Sequence, residues 1–117
     1  MSIKRNHTSS RMSQTVVHGS TVYLSGQVAL RAPGASAAEQ TRDILARIDE
    51  LLSEVGSDKT KALAATIWLT DMGDFAGMNE VWDAWVDPEN APARACVQSP
   101  ALAAPQFTVE IMLTAAL

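Results

Sequence analysis

The chain has 117 residues, of which 47% are hydrophobic and 19% are charged, with a net charge of -4 and an isoelectric point near 5.0. This length fits one domain, residues 1–117, whose folding buries roughly two-thirds of the unfolded chain's surface. The composition excludes a disordered or coiled-coil chain. The acidic balance argues against a nucleic-acid partner, because binding to the phosphate backbone needs a basic surface.

The cysteine count and the start of the chain indicate its compartment. Cys96 is the one cysteine and has no partner for an internal disulfide, and residues 1–7 are polar where a signal peptide is apolar. No stretch approaches the ~20 apolar residues of a membrane span. We therefore predict a soluble cytoplasmic protein without a membrane partner. His7, His18 and Cys96 lack metal-ligand spacing, so no metal is expected.

The first half of the chain predicts a hairpin followed by a helix. After a polar start, residues 13–18 and 21–26 read as strands on either side of the turn Gly19-Ser20. Ser36 followed by Glu39 is a capping-box pattern, which marks a helix start. Apolar residues then recur at helical spacing until Gly56 ends the run: Ile44, Leu45, Ile48, Leu51, Leu52 and Val55.

The second half predicts a strand, a helix and two more strands. Residues 63–70 alternate in two partly apolar sets, with Leu63, Ala65, Ile67 and Leu69 on one face, so this strand is expected to be covered on both sides. Asp74 is predicted to cap the second helix, and Asp87-Pro88 to stop it. One face of that helix carries Phe75, Met78, Trp82 and Trp85. Strands over residues 92–97 and 107–113 follow.

The predicted order β-β-α-β-α-β-β is typical of an α+β sandwich with two helices on one face of a sheet. The other face is expected to carry Trp68, Met112 and Cys96 together with polar groups, and two helices cannot cover it. An exposed, partly apolar sheet of this size is an interaction surface. We therefore expect a partner subunit to cover it.

The last two strands place ionisable groups where strand side chains are expected. Arg94 and Cys96 are two residues apart, so their side chains share one face of the sheet. The apolar positions of the last strand leave Glu110 on the face opposite to them: Phe107, Val109, Ile111 and Leu113. Arg94, Cys96 and Glu110 are therefore the candidate functional residues.

Four motifs together resemble a known family. They are Ser25-Gly26-Gln27, Asp74-Phe75 with Asn79, the run Pro92-Ala93-Arg94-Ala95-Cys96-Val97, and Val109-Glu110-Ile111. From about Arg11 to the C-terminus the chain resembles the Rid family, the reactive intermediate deaminases, also called YjgF-like. Arg11-Met12-Ser13, residues 65–69 and residues 82–86 are similar to a YoaB-like branch related to RutC-type proteins.

The resemblance implies a chorismate-mutase-like fold and a homotrimer with its sheets turned inward and three clefts between subunits. It also implies hydrolysis of small imines or enamines, such as 2-iminobutanoate or 2-aminoacrylate, to a 2-keto acid and ammonia without a cofactor. By the same resemblance, Glu110 acts on the attacking water, as base or anchor, and the backbone carbonyl of Cys96 positions that water. Arg94 would grip the substrate carboxylate.

Each assignment has a structural alternative. The planar fork of Arg94 suits two parallel hydrogen bonds to a carboxylate, but Arg94 and Glu110 would also make a plain ion pair. A nucleophilic role for Cys96 is disfavoured, because no histidine is placed to activate the thiol. Trp68, Trp82, Trp85 and Tyr23 fit packing better than a substrate cage.

The remaining binding candidates are Ser25, Gly26, Asn79 and Met12. Ser25 and Gly26 let the backbone approach a ligand or only form a turn, and Asn79 contacts a ligand or is only a polar helix position. Met12 stands where better-known deaminases of the family have a tyrosine, and it has no phenolic donor. It either admits a larger apolar ligand group or marks a branch that binds without catalysis.

Two function classes therefore stay open. The first is an imine/enamine deaminase, and the second is a non-catalytic protein of the same fold that binds small carboxylates. Nuclease action, which has been proposed for some relatives, fits poorly with an acidic chain.

Overall fold

The computed structural model describes residues 1–117, which form seven strands and two α-helices. The strands are β1 (Ile3–Thr8), β2 (Ser13–His18), β3 (Thr21–Leu24), β4 (Gln27–Val28), β5 (Ala62–Leu69), β6 (Ala93–Gln98) and β7 (Val109–Ala116). The helices are α1 (Ala37–Glu54) and α2 (Phe75–Trp85), and short 3₁₀ turns over Lys59–Lys61 and Met72–Asp74 precede β5 and α2.

All strands belong to one mixed sheet with two helices packed on one face, which confirms the predicted α+β class. The strand order is β1-β2-β3-β7-β5-β6, and β4 also pairs with β7. Every pair is antiparallel except β5 and β6, which are parallel because α2 connects them as a crossover. β6 is therefore an edge strand, beside the helix that leads into it.

The boundaries of α1 are those that the sequence predicts. The Ser36 hydroxyl accepts a hydrogen bond from the Glu39 backbone N–H, and the helix ends before Gly56, whose φ of +78° suits glycine. The predicted cap of α2 is wrong, because the Asp74 side chain makes no capping hydrogen bond. Asp71 instead accepts from Gly73 N–H, so the chain already turns helically when it reaches Asp74.

The core lies between the helices and the sheet. Alternate β7 residues face the helices, as predicted, and are almost fully buried: Val109, Ile111, Leu113 and Ala115. Ile67 and Leu69 of β5, Leu51 and Leu52 of α1, and Met78 of α2 fill the same layer and are also fully buried. Phe75, which the sequence places on the same face of α2 as Met78 and Trp82, is 38% exposed at the first residue of that helix.

Three features of the strands differ from the sequence prediction. β1 was not predicted and its residues were described only as a polar start, because an exposed edge strand has no apolar alternation to indicate it. The second predicted strand ends at Leu24 and continues as β4. Between Tyr23 and Gln27 the chain advances four residues while β7 advances three, from Thr114 to Ile111, so one extra residue forms a bulge. A bulge between Ala62 and Ala64 also turns Leu63 outward, leaving it 51% exposed.

The second face of the sheet carries no helix. Its residues include Tyr23, Thr66, Trp68, Val97, Met112 and Thr114, a mixture of apolar and polar side chains. We call this surface the open face. Tyr23, Val97 and Met112 are exposed on it, which is costly for large apolar side chains. No helix of the protein has the length and apolar character needed to cross a membrane.

Candidate functional site

Arg94 and Cys96 share one face of β6, as predicted, but it is the helix side of the sheet. In the parallel pair, Arg94 lies beside Ala65 and Cys96 beside Ile67, both of which face the core. The expectation that Cys96 lies on the open face is therefore wrong. Period-2 alternation shows which residues share a face, but the register with β5 decides which face that is.

Arg94 is held by α2. Its Nη1 donates a hydrogen bond of 2.8 Å to Asn79 Oδ1. Its Cζ lies 5.3 Å from the ring centroid of Trp82 and 6.0 Å from that of Phe75, within cation–π range. A guanidinium has five N–H groups, and the four that are not bound to Asn79 have no hydrogen-bond partner within the chain. We call Arg94, Asn79, Trp82 and Phe75 the arginine cluster, in which α2 holds the guanidinium in one place.

The alternative of an Arg94–Glu110 ion pair is not observed. The ion pairs of the protein are Arg31–Glu50 and Arg47–Glu50, and His7 is hydrogen-bonded to Glu54. The side chain of Arg94 is hydrogen-bonded to a neutral amide, so no carboxylate of the same chain neutralises its charge.

Cys96 is partly buried and packs against the core. Burial raises the pKa of its thiol, and the opposing effect of the nearby Arg94 charge is smaller. The thiol is therefore protonated at neutral pH, which argues against a nucleophile. On the unpaired edge of β6, backbone N–H and C=O groups of this strand are free to bind a ligand or water.

Glu110 lies on the open face of β7, beside Trp68 of β5 and Val28 of β4. Its carboxylate rests on the backbone of Gly26, where an added Cβ would come within 2.3 Å of Oε2. No side chain or backbone group of the chain donates a hydrogen bond to it, and partial burial raises its pKa. Gly26 is thus required for the close approach of Glu110 to the backbone, a contact that neither of its two predicted roles included, and its contact with a ligand stays a prediction.

Ser25 belongs to a hydrogen-bonded cluster next to Glu110. Its hydroxyl donates to Gln14 Oε1 at 3.0 Å, and its backbone N–H donates to the Gln14 carbonyl oxygen at 3.0 Å. Gln27 is only 4% exposed, and its Nε2 lies 2.9 Å from Gln14 Oε1 and 3.0 Å from Ser25 Oγ. Gln14 was missed by the sequence reasoning, and Gln27 was quoted only as part of the Ser25-Gly26-Gln27 motif.

The other candidates lie around these two centres. Met12 is 43% exposed in the turn between β1 and β2, where Ser9 N–H donates to the Met12 carbonyl oxygen. Trp82 is buried in the core as predicted, yet its ring also lies under the Arg94 guanidinium. Trp85 packs against Trp82 at 5.3 Å between ring centroids, and its indole N–H donates to Asp49.

Glu110 and Arg94 do not meet within one protomer. The β6 residue in line with Glu110 is Val97, through Trp68. Relative to Glu110, Arg94 therefore lies two strands away across the sheet and three residues away along the strand direction, about 10 Å in each case. It also lies on the opposite face of the sheet. The three cavities of the protomer, of about 470, 360 and 230 Å³, contain neither residue. The arginine cluster and the Glu110 centre, which consists of Glu110, Ser25 and Gly26, are therefore separate on one chain.

Comparison with known proteins shows to which family the chain belongs. A family model described as endoribonuclease L-PSP matches residues 3–117. The chain belongs to this family, the YjgF or Rid family. The crystal structure of NMB1025 from Neisseria meningitidis, described as a member of the YjgF protein family, superimposes with a TM-score of 0.94 at 49% identity, over 99% of this chain and 95% of that one. The resemblance stated from the motifs is thereby confirmed.

Two curated relatives narrow the position of the chain in the YjgF family. The RutC family protein YoaB of Escherichia coli K12 is 44% identical over 116 residues, 99% of each chain. A rat protein named 2-iminobutanoate/2-iminopropanoate deaminase is 34% identical over 96 residues, 77% of this chain and 69% of that protein. The chain is thus similar to RutC family proteins over its whole length and to an imine deaminase over most of it.

Proposed function

We propose that the protein hydrolyses small 2-imino acids and their enamine tautomers to 2-keto acids and ammonia. Water adds to the C=N carbon, the C–N bond of the resulting tetrahedral species breaks, and nitrogen leaves as ammonia. The balance is R–C(=NH)–COO⁻ plus H₂O giving R–C(=O)–COO⁻ plus NH₃, with no change in oxidation state. The observation that carries the proposal is the arginine cluster, a charged grip whose remaining donors fit a carboxylate.

Glu110 is the second element of the proposed mechanism. Its carboxylate has no donor within the chain, so its lone pairs are free for a water molecule and for a substrate N–H. Holding water against an already reactive C=N carbon requires positioning more than strong basicity. The chain itself thus supplies an anion grip and a water-holding carboxylate, and the protonated Cys96 thiol takes no part.

The arginine cluster and the Glu110 centre act together only if they come from different copies of the chain. We propose a homotrimer in which the edge strand β6 of one subunit, with its arginine cluster, reaches the open face of the next, with its Glu110 centre. This arrangement covers Tyr23, Val97 and Met112, which a single protomer leaves exposed. It also explains why no cavity of the protomer contains Arg94 or Glu110.

The proposed activity is tested by producing 2-iminobutanoate with an amino-acid oxidase in the presence of semicarbazide, which traps the imine that remains. The wild type should lower the amount of trapped imine. Arg94→Ala should lose at least about 100-fold in kcat/KM, because two charge-assisted hydrogen bonds to the carboxylate are removed. Arg42→Ala, at an exposed arginine of α1, is the matched control and should keep the wild-type rate.

Two results would separate the alternatives. Equal imine loss with and without protein, across imines of several sizes, would contradict the deaminase and leave a carboxylate-binding protein. Imine loss that is the same for wild type and Arg94→Ala would place the activity elsewhere on the chain.

A further inference from the structure

The hydrogen bonds around Ser25 fix the direction in which its hydroxyl can bond. The Ser25 backbone carbonyl oxygen, which can only accept, lies 3.1 Å from Gln27 Nε2. This contact identifies that Gln27 atom as the amide nitrogen, since two oxygens would repel each other at this distance. The orientation of the Gln27 amide is therefore set by the backbone.

The Gln27 amide in turn sets that of Gln14. Gln27 Nε2 lies 2.9 Å from the terminal atom of Gln14, so that atom is the acceptor oxygen Oε1. The same Oε1 lies 3.0 Å from Ser25 Oγ, and two acceptors can share this contact only if the serine supplies the proton. The hydroxyl proton of Ser25 is thus committed to Gln14.

The serine oxygen has two lone pairs, and one of them is also used. Gln27 Nε2 lies 3.0 Å from Ser25 Oγ and donates to it, sharing its two hydrogens among three acceptors. One lone pair and no proton remain for a ligand. Gln27 is almost fully buried, so these hydrogen bonds of its amide are not exchanged with solvent.

We infer that Ser25 recognises the nitrogen end of the substrate, accepting a hydrogen bond from its N–H, with Gln14 and Gln27 as the positioning residues that keep the hydroxyl an acceptor. The inference rests on the proposed function and adds the orientation of the substrate. Ser25 is the residue before Gly26, on which the Glu110 carboxylate rests, so both acceptors belong to the same short segment around Gly26. An imine or amine N–H fits there, and a carboxylate or keto oxygen does not.

The orientation predicts a ligand preference that binding calorimetry measures on the full-length protein. 2-Hydroxybutanoate carries an O–H donor at the position where 2-ketobutanoate carries only an acceptor. The wild type should bind the hydroxy acid about 3- to 10-fold more tightly, the value of one hydrogen bond. Ser25→Ala should remove this preference, whereas Ser53→Ala, at an exposed serine of α1, should keep it.

Gln14 variants test the positioning role with a readout that general damage does not produce. Gln14→Met removes the acceptor of the serine proton, which then becomes available to a ligand, so the preference should reverse toward the keto acid. Gln14→Glu keeps an acceptor in place and should retain the preference for the hydroxy acid. Thermal unfolding of each variant identifies loss of the fold, in which case Ser25→Ala decides.

The outcomes separate this inference from the proposed function. If Arg94→Ala weakens both ligands but Ser25→Ala and Gln14→Met leave their ratio unchanged, the inference is wrong and carboxylate binding by the arginine cluster stands. If the ratio changes as expected while Arg94→Ala has no effect on either ligand, Ser25 is assigned correctly and the proposed role of Arg94 is wrong. If neither ligand binds the wild type, both are contradicted.

Discussion

The carboxylate of Glu110 lies directly on the backbone of Gly26, at a distance that leaves no room for a Cβ atom. Replacing Gly26 with alanine should push this carboxylate aside, because it is the mobile end of a flexible side chain. We expect Gly26→Ala to lower kcat/KM for the imine by about 10-fold or more while costing at most about 1 kcal/mol of stability. Turnover and thermal unfolding of the same preparation measure the two effects.

Gly77→Ala is the matched control for that substitution. Gly77 lies within α2, and a Cβ added there meets no atom within 4 Å. The variant should keep the wild-type turnover and gain roughly 0.5–1 kcal/mol, since alanine loses less backbone entropy than glycine in a helix. Equal turnover by both glycine variants would show that the position of Glu110 does not matter.

The hydrogen bond between Asn79 and Arg94 makes a prediction about substrate binding. Asn79→Ala should raise KM for the imine about 3- to 10-fold with a smaller change in kcat, because the guanidinium loses one neutral partner. Asn79→Asp should raise KM further, since a carboxylate would compete with the substrate for Arg94. Steady-state kinetics test the order of the two variants, and a lower KM for the aspartate variant would contradict the anion-grip role.

The role of Cys96 is tested by removing its sulfur. Burial raises the pKa of the thiol, so it is not a thiolate at neutral pH. Cys96→Ser should therefore retain imine turnover within about 3-fold of the wild type, because the backbone of β6 is unchanged. Complete loss of turnover in a variant with a wild-type thermal midpoint would indicate covalent catalysis.

The raised pKa of Glu110 predicts a pH dependence of stability. A carboxyl group whose pKa is higher in the folded than in the unfolded chain holds its proton more tightly when folded, so protonation favours folding. Stability from this group is present below the unfolded pKa, about 4.3, and is lost as pH rises through the higher folded pKa. Glu110→Gln has no carboxyl group at this position, so it should not lose stability in this way as pH rises.

Thermal midpoints between about pH 4 and about pH 7 test the prediction. The thermal midpoint of Glu110→Gln should exceed that of the wild type by an amount that increases with pH across this interval. Glu80→Gln, at an exposed position of α2, should have the same pH dependence as the wild type. A difference in thermal midpoint that decreases with rising pH would contradict the direction set by burial, and would mean that a cation such as Arg94 of a neighbouring subunit outweighs burial at Glu110.

The open face predicts assembly. Met112 is 42% exposed at the centre of that face, so Met112→Lys should prevent subunits from covering it and yield monomers. Met72→Lys is the control, because Met72 is similarly exposed, at 39%, but lies in the turn before α2. Light scattering gives the mass of each variant, and a monomeric wild type would contradict the proposed trimer.

Much of the fold follows from the sequence because its strongest patterns are local. Apolar spacing and the Ser36 cap define α1, and the alternation from Val109 onward defines the buried face of β7. β1 has exposed side chains and no such pattern, so only pairing with β2 reveals it. The bulge before Gln27 and that near Leu63 depend on the register between strands, which a single strand's pattern does not contain.

The candidate site was predictable in its residues but not in its arrangement. The motifs pointed to Arg94 and Glu110, yet polarity suggested one shared face, whereas the register with β5 places them on opposite sides of the sheet. Gln14 was invisible because its role depends on a contact with Ser25 across the hairpin. These relationships arise from strand pairing, so they required the structure.

In the proposed trimer, the arginine cluster of one copy and the Glu110 centre of another form one site. The most direct test is to unfold Arg94→Ala and Glu110→Gln together and refold them as mixed trimers, with each variant refolded alone as the control. If the two residues come from different subunits, about a quarter of the clefts regain both wild-type side chains, and imine hydrolysis returns to about that fraction. Refolded mixtures as inactive as either variant alone would contradict the shared site.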